Sequence, residues 1–194
     1  MSFRIEEKLF IKKNFISDFK KFISSKSSEK IYDPRIIESL YFDNKNFEMY
    51  KDSLEGLTPR KKIRIRYYPE QNGELFFEKK ISSVEGRFKQ RKLLSLDDFE
   101  RHKKNGIIDD QYGLCTPKIF VTYKREYLKI NDVRITIDEN ISYRGYRNKT
   151  VKNDNDSIIE LKTNFNKNVD DLIKEFPFQK IRFSKYCQGI EKIH

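Results

Sequence analysis

Tryptophan is absent from the 194-residue chain, and cysteine, histidine and methionine each occur only twice. Cys115 and Cys187 are too few and too far apart for a disulfide framework or a zinc site, and only His102 and His194 could assist them. Two ordinary reduced thiols are expected. Long apolar runs are also missing. The opening segment SFRIEEKLFIKKNF is broken by charge every two or three residues, so it has no signal-peptide core. No stretch reaches the apolar length needed to cross a bilayer, and a soluble cytoplasmic protein without membrane insertion is the expectation. Internal repeats and low-complexity linkers are lacking as well, the Ser-rich SSKSSEK at 24–30 being short enough for a loop. One domain over 1–194 is therefore expected, of a size that buries a core without staples.

What the chain has in excess is positive charge. Its 41 Lys and Arg against 30 Asp and Glu give a formal net charge of +11. Such a field costs stability through self-repulsion and concentrates anions at the surface, so an anionic partner is implied: nucleic acid, a membrane surface or polyphosphate. Apart from Arg60, Lys61 and Lys62, the basic residues are spread along the sequence, which argues against a disordered nucleic-acid arm.

Alternation of apolar and polar residues predicts strands at Arg4–Ile11, Ile37–Asp43, Lys61–Tyr68, Glu74–Ile81, Arg87–Lys92, Lys118–Leu128, Val133–Ser142, Ser157–Thr163 and Gln179–Phe183. Helical spacing of Phe15, Ile16, Phe19, Phe22 and Ile23 predicts an amphipathic helix within Lys12–Ser25. A second helix starts at Ser95, where Ser95 and Asp98 form an acidic variant of the capping box, and ends at Gly106. Shorter helices are expected at Asn46–Leu54, Val169–Phe176 and Ser184–Lys192. Because helices do not alternate with strands, the fold class is α+β, mainly β, with an antiparallel barrel and peripheral helices.

Residues two apart on a strand share a face. Lys62, Arg64 and Arg66 therefore stand opposite Ile63, Ile65 and Tyr67. The same sorting groups Arg4, Glu6 and Lys8; Glu78 and Lys80; Lys89 and Arg91; Tyr123 and Arg125; Arg134, Thr136 and Asp138; and Glu160 with Lys162. For one strand alone, a solvated sheet face explains such a pattern. Seven strands whose polar faces concentrate Arg and Lys with few carboxylates point instead to a water-filled channel for a linear polyanion. Arg supplies bidentate phosphate contacts there and Lys supplies point charges. Lys61 and Lys79 alternate onto the opposite face, so Lys79 is expected to be solvated and replacement of Lys61 to matter little.

The strings RIEEKL at 4–9, SLYFD at 39–43, RKKIRIRYY at 60–68, FFEKK at 76–80, KQR at 89–91, VTYKREYL at 121–128, VRITID at 133–138, IIELK at 158–162 and RFSKY at 182–186 follow the order seen in VTC domains. The chain resembles that family, one of the triphosphate tunnel metalloenzymes, to which the CYTH phosphohydrolases are related. The resemblance implies a closed eight-stranded antiparallel β-barrel tunnel acting as an ATP-dependent polyphosphate polymerase. It would transfer the terminal phosphate of ATP onto inorganic polyphosphate with a divalent metal, Mn2+ or Mg2+. By the same resemblance Lys8, Arg64, Arg66, Lys80, Arg125 and Arg134 grip phosphates, Glu160 holds the metal, and Arg182, Ser184 and Lys185 bind phosphate near the tunnel wall. Tyr123 is a second candidate beside Arg125, and Lys62, Lys89, Arg91 and Lys162 extend the substrate-binding set.

Phosphoryl transfer depends mostly on positioning and charge stabilisation, so clustered cations with one metal-holding carboxylate suffice, and the acceptor phosphate is its own nucleophile. Ser184 also reads as a helix N-cap, and Glu160 could equally pair with an arginine. Glu6, Glu78 and Asp138 read as organisers of the cations. The phosphohydrolase branch opens with an ExExK string whose first acidic position is Arg4 here, which ranks polymerase above a metal-dependent triphosphatase or polyphosphatase. A non-enzymatic polyphosphate- or RNA-binding module is the other alternative. Tyr67, Phe77 and Phe120 alternate away from the arginines, unlike a base-stacking platform, so no nucleic acid is expected. By the resemblance, the regulatory domain and membrane segments of eukaryotic homologues are not expected here, and coupling to translocation would come through a membrane partner protein. The sequence leaves the oligomeric state open.

Overall fold

The structure is a computed structural model that describes residues 4–164 and 179–194. The expected helix Val169–Phe176 lies outside the described residues. The strands are β1 (Arg4–Ile11), β2 (Glu29–Asp43), β3 (Arg60–Tyr68), β4 (Glu74–Ser83), β5 (Gly86–Leu94), β6 (Ile107–Asp109), β7 (Gly113–Ile130), β8 (Val133–Gly145), β9 (Val151–Asn153), β10 (Ser157–Asn164) and β11 (Gln179–Lys180). The α-helices are α1 (Ile16–Ser25), α2 (Glu48–Glu55), α3 (Leu96–Asn105) and α4 (Lys185–Ile193).

The mainly-β, α+β expectation agrees with this order, but the closed eight-stranded barrel does not. Among the described residues the strands form an eleven-stranded sheet in the order β11-β1-β10-β8-β7-β2-β3-β4-β5, with β6 beside β7 and β9 beside β8. Among the described residues the path ends at β11 and β5, so the sheet is open. Alternation marks strands singly, whereas closure depends on which strand ends meet, and that information is not periodic. Several strands run longer than expected, β2 and β7 by the most. β2 begins eight residues before Ile37 (37 − 29 = 8), through a stretch where Pro34 and polar residues break the alternation, and β7 extends beyond both ends of Lys118–Leu128.

The chain divides into two compact units, one of residues Met1–Arg35, Tyr123–Ile141 and Asn153–Phe183, the other of Ile36–Thr122, Ser142–Lys152 and Ser184–His194. In the first, the alternation of β1, β8 and β10 delivers Leu9, Ile11, Ile135, Ile137, Ile159 and Leu161 to a core completed by Phe19 and Ile23 of α1. Each such side chain contributes about 1.5–3 kcal/mol on burial. Phe19 and Ile23 are four apart, so one stripe of α1 covers the apolar side of the strands. Lys20 next to that stripe reaches Glu126 at 2.6 Å and Glu139 at 2.5 Å, which fixes the helix over β7 and β8.

In the second unit, Asp43 at the end of β2 organises two helices. Its Oδ1 accepts from the backbone N–H of Asn44 at 2.7 Å and Met49 at 3.1 Å, and its Oδ2 from Tyr50 N–H at 3.0 Å and the Tyr186 hydroxyl at 2.6 Å. Burial lifts the Asp43 carboxyl above its ordinary value, against the pull of those hydrogen bonds. Gly189 lets α4 lie close on the sheet, since a Cβ there would meet Ile119 Cδ1 and stand 2.7 Å from Tyr143 Cδ1. The caps of α3 form as the sequence predicts: Ser95 Oγ accepts from Asp98 N–H at 3.0 Å, and Gly106, at φ 80°, ends the helix. Cys115 and Cys187 are free and buried, as expected.

Candidate phosphate-binding site

Registers turn the alternating faces into rows. Across β3, β4 and β5, Lys62 lies opposite Lys80, which lies opposite Lys89; the next row is Arg64, Glu78 and Arg91, and the next is Arg66 and Phe76. Like charges directly opposite destabilise a sheet, so three aligned lysines mark a face that suits an anion. Glu78 relieves part of the repulsion. Its side chain is only 2% exposed, and its Oε2 accepts from Arg64 Nε at 2.8 Å and Nη2 at 2.6 Å. Its Oε1 accepts from Lys89 Nζ at 2.6 Å and lies 3.6 Å from Arg91 Nε, while Arg66 Nη1 stands 3.8 Å from Oε2. Burial would raise the Glu78 carboxyl, but Arg64, Arg66 and Lys89 hold it far below the usual carboxylate range. Burial and the neighbouring Arg64 and Arg66 in turn pull the Lys89 ammonium below its ordinary value, despite Glu78.

The edge of this face is finished by α4. Ser184 Oγ accepts from Cys187 N–H at 3.3 Å as the N-cap and from Lys62 Nζ at 2.9 Å, with Lys185 opening the first turn. Arg64 Nη1 donates to the Tyr41 hydroxyl at 2.8 Å, and the Tyr41 ring stacks on Tyr186 at 5.2 Å. Arg64 is thus oriented through Tyr41 and Tyr186 from Asp43. Sequence reasoning quoted SLYFD without singling out Tyr41; its position two residues from Asp43 was the available signal.

The other unit carries a second group. Arg125 Nε and Nη2 donate to Asp138 Oδ1 at 2.5 Å and Oδ2 at 2.7 Å, a bidentate pair, and Arg125 lies 3.7 Å from Glu160 Oε2 and over Tyr123 at 5.2 Å. Burial opposes its charge, but Asp138, Tyr123 and Glu160 raise the guanidinium well above its ordinary value. Lys8 faces Glu160 across the β1 and β10 ladder and donates to the Phe183 carbonyl at 2.7 Å. Lys162 lies 3.1 Å from Glu160 Oε1 and opposite Arg134, which is exposed and sits 5.5 Å from the Tyr127 ring. Arg182 is exposed. Burial would raise Glu160; a side-chain hydrogen bond with Glu6 and the charges of Lys162, Arg125 and Lys8 hold it well below the usual range.

These contacts divide the carboxylates by role. Glu78 and Asp138 are saturated by guanidinium and ammonium groups and serve as organisers. Glu160 and Glu6 instead stand on one face of the adjoining strands β1 and β10, diagonally across two register positions, so a divalent ion could draw on both carboxylates. Mg2+ and Mn2+ accept one or two carboxylates with phosphate oxygens completing the shell, and the pair fits that demand. No cluster of three or more His, Cys, Asp or Glu suited to a metal occurs among the described residues.

One expectation is corrected and two are extended. Lys79 is not solvated: its Nζ donates to Asp109 Oδ2 at 2.7 Å. Lys61 is buried on the same side, donating to Asp109 Oδ1 at 3.0 Å and to Asp110, so it holds the fold. Burial raises the Asp109 carboxyl less than Lys79, the Gln111 N–H and Lys61 lower it. Aromatic rings also accompany the arginines more closely than Tyr67, Phe77 and Phe120 suggested. Arg91 lies 3.6 Å from the Phe76 ring centre and Arg66 lies 6.0 Å from that of Tyr68.

An antiparallel sheet carrying rows of phosphate-suited cations defines a mainly-β protein suited to phosphate-bearing anions. The chain belongs to the VTC domain family, whose model matches residues 3–194. Curated protein sequences gave no match. Among solved structures, a candidate adenylate cyclase from Bacillus halodurans is similar at 15% identity and TM-score 0.65, covering 96% of each chain. The protein PH1819 from Pyrococcus horikoshii OT3 matches at 16% identity and TM-score 0.65, over 98% of this chain and 99% of its own. The candidate adenylyl cyclase HpAC1 from Hippeastrum, described as having a dominant triphosphatase activity, matches at 15% identity and TM-score 0.59, over 98% and 96%. At these identities the likeness concerns the fold. Among the described residues no helix is long and apolar enough to cross a membrane.

Proposed function

We propose that the protein is a polyphosphate polymerase that transfers the terminal phosphate of ATP onto an inorganic polyphosphate chain. The observation that carries this reading is the set of aligned cation rows Lys62/Lys80/Lys89 and Arg64/Arg91, with four cations gathered on the buried Glu78. A surface of that kind binds a repeating polyanion, because equivalent charges recur along the strand direction at the interval of every second residue. With Arg66, Ser184 and Lys185 it makes one phosphate-binding set.

Lys8, Arg125, Arg134 and Lys162, which surround the Glu6 and Glu160 carboxyl groups, are assigned the triphosphate. Glu160 and Glu6 would hold Mg2+ or Mn2+, which supplies charge neutralisation on phosphate oxygens when bound. In the transfer, a terminal phosphate oxygen of the acceptor forms a bond to the γ-phosphorus, the bond from that phosphorus to the β,γ-bridging oxygen breaks, and ADP leaves with the electron pair. Arg125, held by Asp138 in one orientation, and Lys8, held by the Phe183 carbonyl, stabilise charge on the equatorial oxygens without reorganising. No side-chain nucleophile enters.

A metal-dependent triphosphatase or polyphosphatase is the second reading, favoured by the triphosphatase activity described for the Hippeastrum protein. Incubation with ATP and Mn2+ or Mg2+ followed by sizing of the phosphate products separates the two. Long polymer with ADP is expected; release of only orthophosphate or tripolyphosphate would move the assignment to hydrolysis.

A further inference from the structure

We propose that Tyr32, Arg35 and Tyr127 form a stacking platform for the base of a nucleoside triphosphate whose phosphates lie at Arg134 and its neighbours. The inference rests on the phosphate-binding reading above and names the part of the ligand that reading leaves unassigned.

Three side chains build the platform, and Arg134 adjoins it. The Arg35 guanidinium lies over the Tyr32 ring at 4.7 Å and over the Tyr127 ring at 5.5 Å. The two rings meet edge to face, with centres 5.5 Å apart and planes at 89°. Arg134 also stands 5.5 Å from the Tyr127 ring centre. Tyr127 is only 6% exposed, whereas Tyr32 is 47% exposed. A buried ring and a guanidinium therefore fix the orientation of a second ring that still offers surface to solvent. A π-face held in this way suits another π-face, and stacking on an aromatic ring accepts any base.

The placement matches the phosphate groups. Tyr123, Arg125 and Tyr127 share one face of β7, and Arg134 and Thr136 share one face of β8, opposite Lys162 and Glu160 of β10. In the sheet order β10-β8-β7-β2, three interstrand steps separate Glu160 from Tyr32, on the order of 14 Å at the usual strand spacing. That span is comparable with the reach of an extended nucleoside triphosphate from terminal phosphate to base. Tripolyphosphate, which lacks the base, would occupy the cationic part alone.

The test is calorimetric titration of the full chain in Mg2+ with the β,γ-imido analogues of ATP and GTP and with tripolyphosphate. Wild type should bind both nucleotides alike and more tightly than tripolyphosphate. Tyr32→Ala should weaken both nucleotides by about tenfold, the scale of one base stack, while tripolyphosphate stays within about twofold. Tyr32→Phe, which keeps the π-face, should bind as wild type. The platform is overturned if Tyr32→Ala leaves nucleotide binding unchanged or weakens tripolyphosphate as much. It is also overturned if a single-stranded RNA oligonucleotide lacking a triphosphate competes in wild type and loses binding in Tyr32→Ala, since the ring would then serve RNA. Failure of the underlying reading looks different: wild type would bind none of the phosphate ligands, or Arg125→Ala would leave tripolyphosphate affinity untouched.

Discussion

Replacing Glu78 by Gln should lower stability and raise anion affinity in the same protein. The carboxylate is 2% exposed and meets Arg64, Lys89, Arg91 and Arg66 within 2.6–3.8 Å. Removing one partner of a buried ion pair costs about 3–5 kcal/mol because the opposite charge stays buried. The Gln carbonyl still accepts a hydrogen bond, and Arg91 and Lys89 are half exposed, so the lower end, about 3 kcal/mol, applies here. For a chain of this length that corresponds to a fall of roughly 6–12 °C in Tm. The released cations then meet an added phosphate chain without competition, and an affinity gain of about tenfold amounts to roughly 1.4 kcal/mol. At a ligand concentration one hundred times Kd, binding returns about 2.7 kcal/mol, so tripolyphosphate should bring the variant back close to the unliganded wild type. Thermal unfolding with and without tripolyphosphate, together with direct titration, gives all the quantities. A variant that is destabilised but shows no greater rescue by tripolyphosphate than wild type would refute the idea that Glu78 stands where phosphate oxygens bind. The pH dependence carries a definite sign. Because the folded carboxyl lies below its ordinary value of 4.5, its contribution is full above that pH and is lost as pH falls further, so Glu78→Gln should flatten the acid limb of the stability curve.

Glu160→Gln should reduce metal-dependent polymer synthesis by several orders of magnitude while metal-free polyphosphate binding holds or rises; near-wild-type synthesis removes Glu160 from the site. Lys61→Ala should destabilise the fold by about 1.5–3 kcal/mol in urea unfolding, since it removes one of two ammonium partners of Asp109 while Lys79 stays, and should leave the tripolyphosphate affinity of the folded fraction unchanged. Arg64→Ala should instead weaken tripolyphosphate by about 1.5–3 kcal/mol. Loss of affinity in Lys61→Ala equal to that in Arg64→Ala would contradict the two-faced strand.

The strand faces were legible because their cause is local. Lys62, Arg64 and Arg66 on one side of β3, with Ile63 and Ile65 buried on the other, follow from the period of two, and the cap of α3 follows from Ser95 and Asp98 alone. Lys79 was misread, and the burial of Lys61 went unseen, because Asp109, which receives both, is 48 residues from Lys61 and 30 from Lys79. Tyr32 and Arg35 lay in a segment of β2 whose alternation is broken around Pro34; the ladder continues through it on tertiary support. The open path of the sheet was hidden for the same kind of reason.

The strict two-residue alternation of β3 has a consequence for how such a chain can vary over generations. Substitutions at Lys62, Arg64 and Arg66 change what the surface attracts, and substitutions at Ile63 and Ile65 change how firmly the sheet holds, so one codon in two addresses each property. Point mutation at Lys62 or at the isoleucines addresses one property, whereas Arg64 and Arg66, which meet the buried Glu78, carry both. Loss or gain of a single codon within the strand upsets both at once, because a slip of one position exchanges the faces and drives guanidinium groups into the place of isoleucine. In-frame length changes in a lineage of such domains should therefore gather at turns such as residues 69–73 and 84–85 and be purged between Arg60 and Tyr68.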